Sequence, residues 1–320
     1  LRVTTGLIPI AAGALRPEHA LGVDLYWGDD AAQRPALLCA AHQPLSLVQW
    51  RRIRELDGPQ LYIYPANQPA YEQYLREHLD QWLYDERVPA ALRAASLVDL
   101  IRDSLQAVAR RTSIQELIRA AAELGQRAAG LLEADIIPLH QLVHVLQHDD
   151  RTFAHSANVA LYAVTLAREL GYSAGDLEQI AVGGLLHDVG KLSIDRRLIH
   201  NAQTLSAIER RTVQRHPLIG FRDLVQHADF SWGQLMMVYQ HHEQPDGMGY
   251  PVGATLEDIH PWARICAVVD VFDALTGRRP NRRAFSPEYA LAVQLRAAGR
   301  SFDIEVMRCW QTLVPMPSTN

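Results

Sequence analysis

The chain has 320 residues, 48% of them apolar and 21% charged, and a formal net charge of −5. That length exceeds an ordinary single domain, so two domains are expected. The mildly negative balance excludes a global basic field for a long nucleic acid. No DNA partner is expected, and any phosphate-bearing ligand must meet a local group of cations.

The apolar run from Leu7 to Leu15 is short and interrupted by Pro9 and Gly13, so it neither spans a bilayer nor has the order of a secretory signal. No membrane association is expected. The sequence begins at Leu rather than Met, which leaves room for residues upstream. Cys39, Cys266 and Cys309 are odd in number and have no CxxC spacing. A disulfide framework and a zinc–thiolate site are therefore unexpected, and a cytoplasmic location fits best.

Residues 1–95 read as a small α+β domain. Gly22 to Trp27 and Gln60 to Tyr64 have the texture of strands bounded by Gly, Pro and Asp. Between them, Ser46 to Leu56 has helical spacing that Gly58 can stop. This part carries no catalytic motif and reads as regulatory or structural. Residues 96–135 are expected to be a helical linker, with Leu97, Leu100, Ile101, Leu105 and Val108 at three- and four-residue steps. The spacing stays helical through residues 136–320, which form the second domain. Asp176 with Gln179 resembles a capping box opening a helix that ends near His187, and Ser206 with Glu209 resembles another. Ser286-Pro287-Glu288 puts proline at a first helical position, and Gly171, Gly277 and Gly299 sit where helices should stop. The expected fold is mainly α: an all-α C-terminal domain preceded by the small α+β domain.

The chain contains 14 histidines, and their placement matters more than their number. His155, His187-Asp188, His216, His241-His242 and Asp270 all lie near expected helix ends or on helices that can face one centre. Imidazoles and carboxylates without thiolates suit iron, manganese, zinc or nickel. A lone histidine on an apolar helix is ordinarily a packed residue, but an ordered set of this kind points to metal. His140, His144 and His148 also recur every four residues; they read as a helix face near the domain junction rather than a metal stripe.

The region from Asp149 to Val314 closely resembles the HD-GYP family, a branch of the HD-domain phosphohydrolases. The residues that carry the resemblance are Thr152-Phe-Ala-His-Ser156, His187-Asp-Val-Gly-Lys191, His216-Pro217 with Gly220, and His241-His-Glu243, followed by Asp246-Gly-Met-Gly-Tyr-Pro251, Asp270-Val-Phe-Asp-Ala274, Arg279-Pro280 and Phe302-Asp303. The resemblance implies an HD-type helical domain with His155, His187, Asp188, His216, His241, His242 and Asp270 as metal ligands. Asp188 corresponds to a carboxylate that bridges the ions. Some members hold a third metal through a Glu four residues before the first histidine; Arg151 stands there, so two divalent ions are expected, iron or manganese before zinc or nickel.

The implied activity is hydrolysis of cyclic di-GMP to pGpG, and in some members onward to GMP, in bacterial second-messenger signalling. Paired ions ionise a shared water near neutral pH for attack on phosphorus. Asp188 and Lys191 are the expected catalytic residues. Lys191, Tyr250, Arg279 and Arg282 are the expected substrate contacts, with bidentate Arg and point-charge Lys suited to phosphate. Asp273, one helical turn after Asp270, is expected to orient a ligand histidine. The Gly249-Tyr250-Pro251 loop is expected to shape the pocket and to contact partner diguanylate cyclases (GGDEF proteins). The sequence leaves association into a homodimer open.

Two departures from the family stand out. Asn281 follows Arg-Pro where Tyr is common, and Asn201-Ala202-Gln203 replaces a common Lys-Pro-Gly. They bear on substrate affinity or base preference and leave the ligand set whole. The alternatives are an HD phosphohydrolase of another nucleotide and a receptor that binds cyclic di-GMP without turnover.

Overall fold

The computed structural model describes residues 7–10, 15, 17–28, 36–55, 60–71, 73–74, 83, 90–111, 113–133, 152–199, 205–227, 229–277 and 283–314. The chain divides into two compact units, Leu1–Ser104 and Leu105–Asn320.

In the first unit, strands β1 (Ile8–Ile10), β2 (Leu25–Gly28), β3 (Ala36–Cys39) and β4 (Gln60–Ile63) form an antiparallel sheet in the order β1-β4-β2-β3. Tyr62 sits at the centre of the register, opposite Pro9 on one side and Tyr26 on the other. Helix α1 (Leu47–Glu55) is tied to β3 by Gln49, which donates to the Leu38 carbonyl at 3.2 Å. Leu25, Leu45, Ile53, Leu61 and Ile63 are buried. The expected strands and helix are present, and β1 and β3 are additional. Each is only three or four residues long, too short to show alternation.

Helix α2 (Ala90–Arg111) contains the division between the units, which falls inside the segment expected to be a linker. Helix α3 (Ile114–Glu133) comes from the same segment and packs on α4 (Thr152–Glu169) and α5 (Ala174–Leu186). Helix α4 is apolar on every face: residues Val159 through Val164 are all fully buried, as suits a helix at the centre of a bundle. Its partners are α5 and α10 (Pro261–Thr276). The backbones of α4 and α5 nearly touch, since a Cβ added at Gly184 would lie 2.7 Å from the Ala160 Cα.

A 3₁₀ turn, Val189–Ser193, follows α5 and leads through α6 (Arg196–Ile199) and α7 (Ala207–Val213) to α8 (His216–Leu224) and α9 (Trp232–Gln240). Helices α11 (Pro287–Arg296) and α12 (Ile304–Leu313) close the bundle against α10. Tyr162, Phe272 and Trp310 meet edge to face, with centroids 5.0 to 5.7 Å apart, and anchor the core.

The start of α5 lies earlier than expected, with its cap at Ser173 rather than Asp176. Helix α5 opens at Ser173, whose hydroxyl accepts from the Asp176 N–H while Asp176 reaches back. Asp176 is thus the third helical residue of the box and not its cap. Ser206 with Glu209 forms the expected box, Ser286 caps α11 with Pro287 following, and Ser231 with Gln234 forms a further box at α9. No helix among the described residues is long and apolar enough to cross a membrane.

Candidate metal centre

Helix ends build the site. His187 caps the C-terminus of α5, and Asp188 opens the 3₁₀ turn after it. His216 is the first residue of α8, and His241 caps the C-terminus of α9 with His242 next. His155 lies in the first turn of α4, and Asp270 and Asp273 lie on α10. The C-terminal ends of α5 and α9 carry partial negative charge, which favours a cation between them.

The last-turn carbonyls of a helix have no intrahelical donor, and here imidazoles supply one. Nδ1 of His187 bonds the Gly184 carbonyl at 2.7 Å, and that of His216 bonds the Val213 carbonyl at 2.8 Å. Nδ1 of His241 bonds the Met237 and Val238 carbonyls at 3.1 and 3.0 Å. In His155, Nδ1 bonds Asp273 Oδ2 at 2.7 Å. In His187, His216 and His241 the carbonyl facing Nδ1 places the proton there and leaves Nε2 as a lone pair, whereas His155 has a carboxylate at each nitrogen.

All four Nε2 atoms converge on Asp188. Those of His216 and His241 lie 3.2 and 3.8 Å from Oδ1, and those of His187 and His155 lie 3.5 and 3.8 Å from Oδ2. Two groups of donor atoms result: Asp188, His216, His241 and His242 in one, and His155, His187 and Asp188 in the other. Asp188 belongs to both. Asp270 spans them from the other side, with Oδ1 3.1 Å from His155 Nε2 and Oδ2 3.9 Å from His242 Nδ1.

A divalent cation fits these residues. Nε2 of His216 and of His241 stand 3.2 Å apart, two lone pairs facing each other. Two nitrogens bound about 2.1 Å from one cation, at right angles, would stand about 3.0 Å apart. Nε2 of His187 is buried and makes no hydrogen bond. Asp188, Asp270 and Asp273 are all buried, and buried carboxylates require opposite charge. Lys191 supplies one such charge, its ammonium contacting Asp188 Oδ2.

The electrostatics follow from this crowding. Burial, then the neighbouring imidazoles, holds His241 well below the ordinary histidine range, and burial lowers His187 as well. Burial brings His242 down to about 4. In His155 burial also acts downward, but hydrogen bonds to Asp270 and Asp273 outweigh it and hold the ring at about 10. Burial would raise Asp188; Lys191 and the histidines around it hold it well below the carboxylate range instead.

Close packing makes the geometry possible. A Cβ at Gly190 would come within 2.1 Å of the His216 carbonyl oxygen, so only glycine lets the 3₁₀ turn lie against the start of α8. Lys191 is 23% exposed at the rim. Tyr250 stacks on His242, with centroids 4.6 Å apart and planes at 29°. Burial pushes its phenol up from the usual value.

The structure therefore gathers His155, His187, Asp188, Lys191, His216, His241, His242, Tyr250, Asp270 and Asp273 around one centre. Arg279, Arg282 and Asn281 lie outside the described residues, as do Arg151, Asn201-Ala202-Gln203 and the His140, His144 and His148 series. Sequence reasoning did not find Asn158, whose amide donates to Asp273 Oδ1 at 2.8 Å and holds the carboxylate that holds His155. Nor did it find the carbonyl anchors, although a histidine just past a helix C-terminus is a legible hint of them.

Fold and site together define a helical protein with the donor set of a divalent-metal centre built from His and Asp. The family model described as "HD domain" matches residues 96–306, and the chain belongs to that family. It is 28% identical over 248 residues to cyclic di-GMP phosphodiesterase PA4108 of Pseudomonas aeruginosa, spanning 78% of this chain and 58% of that protein. It is 31% identical over 264 residues to the cyclic di-GMP phosphodiesterase response regulator RpfG of Xanthomonas campestris pv. campestris, spanning 79% of this chain and 68% of the relative. The fold is similar to that of Bd1817, an HDG"Y"P protein from Bdellovibrio bacteriovorus, with a TM-score of 0.72 at 16% identity over 96% of this chain and 98% of that one.

Proposed function

We propose that the chain is a metal-dependent phosphodiesterase that opens a cyclic dinucleotide, cyclic di-GMP foremost, to its linear form pGpG. The observation that carries this reading is the pair of donor groups sharing Asp188, with the Lys191 ammonium on the same carboxylate. The similarity to two cyclic di-GMP phosphodiesterases supports the substrate class.

Two ions, iron or manganese, are the occupancy we favour, because Asp188 turns one oxygen to each donor group and Arg151 replaces the acid that a third would need. Bound there, divalent ions supply a water ionised near neutral pH and a positive field for phosphate oxygens. The chain's own residues do the rest. Asp273 and the helix-end carbonyls fix the imidazole planes, so the ligands need little reorganisation. Lys191 stands at the rim to take a phosphate oxygen as a compact charge, and Tyr250 offers a ring face and hydroxyl beside His242. Arg279 and Arg282 are proposed as further phosphate contacts. Met248 and Val252 are exposed on the Tyr250 loop, which suits a contact with diguanylate cyclases. Residues 1–95 are proposed as a regulatory or structural domain. Three free cysteines suit a cytoplasmic site of action.

The test is metal analysis of anaerobically prepared protein together with chromatographic identification of products. Cyclic di-GMP, cyclic GMP-AMP, dGTP and ppGpp serve as parallel substrates. The expected result is about two ions per chain and pGpG formed fastest, with Asp188→Ala losing both metal and turnover. Faster hydrolysis of dGTP or ppGpp would overturn the substrate class, and tight binding without pGpG would make the protein a receptor.

A further inference from the structure

Glu243 belongs to neither donor group, yet it is only 2% exposed. It follows His242 directly, just past the end of α9. Its two oxygens collect three backbone N–H groups from one loop. Val252 and Gly253 donate to Oε1 at 2.8 and 3.2 Å, and Ala254 donates to Oε2 at 2.9 Å. Successive amides turned to one side make an anion-binding concavity. Gly253 enters it with φ +73°, in the left-handed region that favours glycine. The anion in this concavity is the chain's own carboxylate.

The same loop is tied to the metal centre two residues earlier. The Tyr250 N–H donates to the His242 carbonyl at 3.1 Å, and the Tyr250 ring lies on the His242 imidazole. Adjacent residues of the chain thus hold both parts of the loop, His242 through its carbonyl and ring and Glu243 through its carboxylate. His242 is the most exposed of the clustered imidazoles at 24%, and among the described residues no hydrogen bond to a helix-end carbonyl fixes its plane as in His187, His216 and His241. Three rings pack on it instead: His241 tilted at 4.2 Å, His216 edge-on at 5.1 Å, and Tyr250 stacked on its face at 4.6 Å. With both oxygens engaged by amides, Glu243 is not a free ligand.

We infer that Glu243 is a positioning residue: by clamping Val252, Gly253 and Ala254 it keeps the Tyr250 ring on His242 and so fixes the orientation of that imidazole toward a cation. The inference rests on the reading of His242 as a metal ligand and not on which nucleotide is hydrolysed.

The test uses the full chain as wild type, Glu243→Gln, Tyr250→Leu and the double variant, read by Mn²⁺ titration and amide hydrogen exchange. Glutamine keeps the shape but turns an N–H₂ group toward an N–H donor. Glu243→Gln should speed exchange at residues 252–254 by ~10-fold or more and weaken Mn²⁺ binding by ~10-fold. Tyr250→Leu should weaken Mn²⁺ binding by a similar factor while residues 252–254 stay protected. The double variant should bind no more weakly than the weaker single variant, because one chain of contacts has been cut twice. A merely structural Glu243 would show no such coupling: losses that multiply, or a loosened loop with wild-type Mn²⁺ affinity, overturn the proposal. Should Glu243→Gln fail to fold, Ala254→Pro removes the donor to Oε2, leaves Glu243 in place and carries the same expectations for Mn²⁺ binding and for exchange at residues 252 and 253. These readouts need no substrate, so a wild type that binds Mn²⁺ but hydrolyses nothing sinks the proposed activity alone. A wild type that takes up no Mn²⁺ sinks the metal centre and this inference together.

Discussion

In His187, His216 and His241 a backbone carbonyl occupies Nδ1 and leaves Nε2 turned to the proposed cation. For His155 the acceptor is Asp273, which Asn158 holds in turn. Asp273→Asn keeps the size but presents one acceptor where two donors now meet a carboxylate. We expect metal affinity to fall by ~10- to 100-fold with the fold retained, measured by competition titration and circular dichroism. Unchanged affinity would mean that His155 needs no orientation. Asp273 was legible in the sequence because a three-residue step after Asp270 places both on one helix face. Asn158 was not, since its partner is 115 residues away and an amide on an apolar helix carries no signature of its own. The carbonyl anchors of His187, His216 and His241 are backbone atoms, which a side-chain pattern cannot display.

At the scale of elements, α9 carries two proposed ligands, His241 and His242, at one end and depends on Ser231 at the other. The Ser231 hydroxyl accepts from the Gln234 N–H, and the Gln234 side chain returns to the Ser231 N–H at 2.9 Å. Ser231→Ala should lower stability by about 1 kcal/mol, which is about 2–4 °C in Tm for a unit of this size. Metal stoichiometry should not change, because the ligands lie at the opposite end; calorimetry with metal analysis checks both. Capping was readable at Ser206 from Glu209 three residues on, and at Ser286 from the Pro287 that follows it. It was misplaced at α5, where Ala174 and Gly175 give no apolar step and Asp176 with Gln179 mimics a box of its own. The short strands β1 and β3 escaped for a related reason: three or four residues fix no period, and their pairing is set by β4 and β2 elsewhere in the chain.

Across the whole molecule, the second unit concentrates buried carboxylates and inward lone pairs where several helices end. Without a cation Nε2 of His187 is left without a partner and those of His216 and His241 face each other, so metal should be a folding ligand as well as a cofactor. At a metal concentration 100-fold above Kd, the gain is about 2.7 kcal/mol, or roughly 5–10 °C in Tm. Chelation should lower Tm by that amount and Mn²⁺ should restore it, read by scanning calorimetry; no shift would deny the centre a structural part. The helical unit was legible because its motifs recur in order along a chain of strong helical periodicity. The first unit was legible only in outline, since its sheet is assembled from short strands far apart in sequence.

Helices α4 and α5 touch at a point without a side chain, and the imidazoles of His155 and His187 hang from either side of it. Gly184 then acts as the stop of a caliper, setting how wide the jaws can open. One added methyl would strike the Ala160 Cα at 2.7 Å, while an equal methyl at Gly175, in the same helix, would meet nothing within 4 Å. Gly184→Ala should therefore abolish cation uptake while Gly175→Ala leaves it intact, as metal analysis of the two variants would reveal. The gauge of the centre is set by an atom the chain omits.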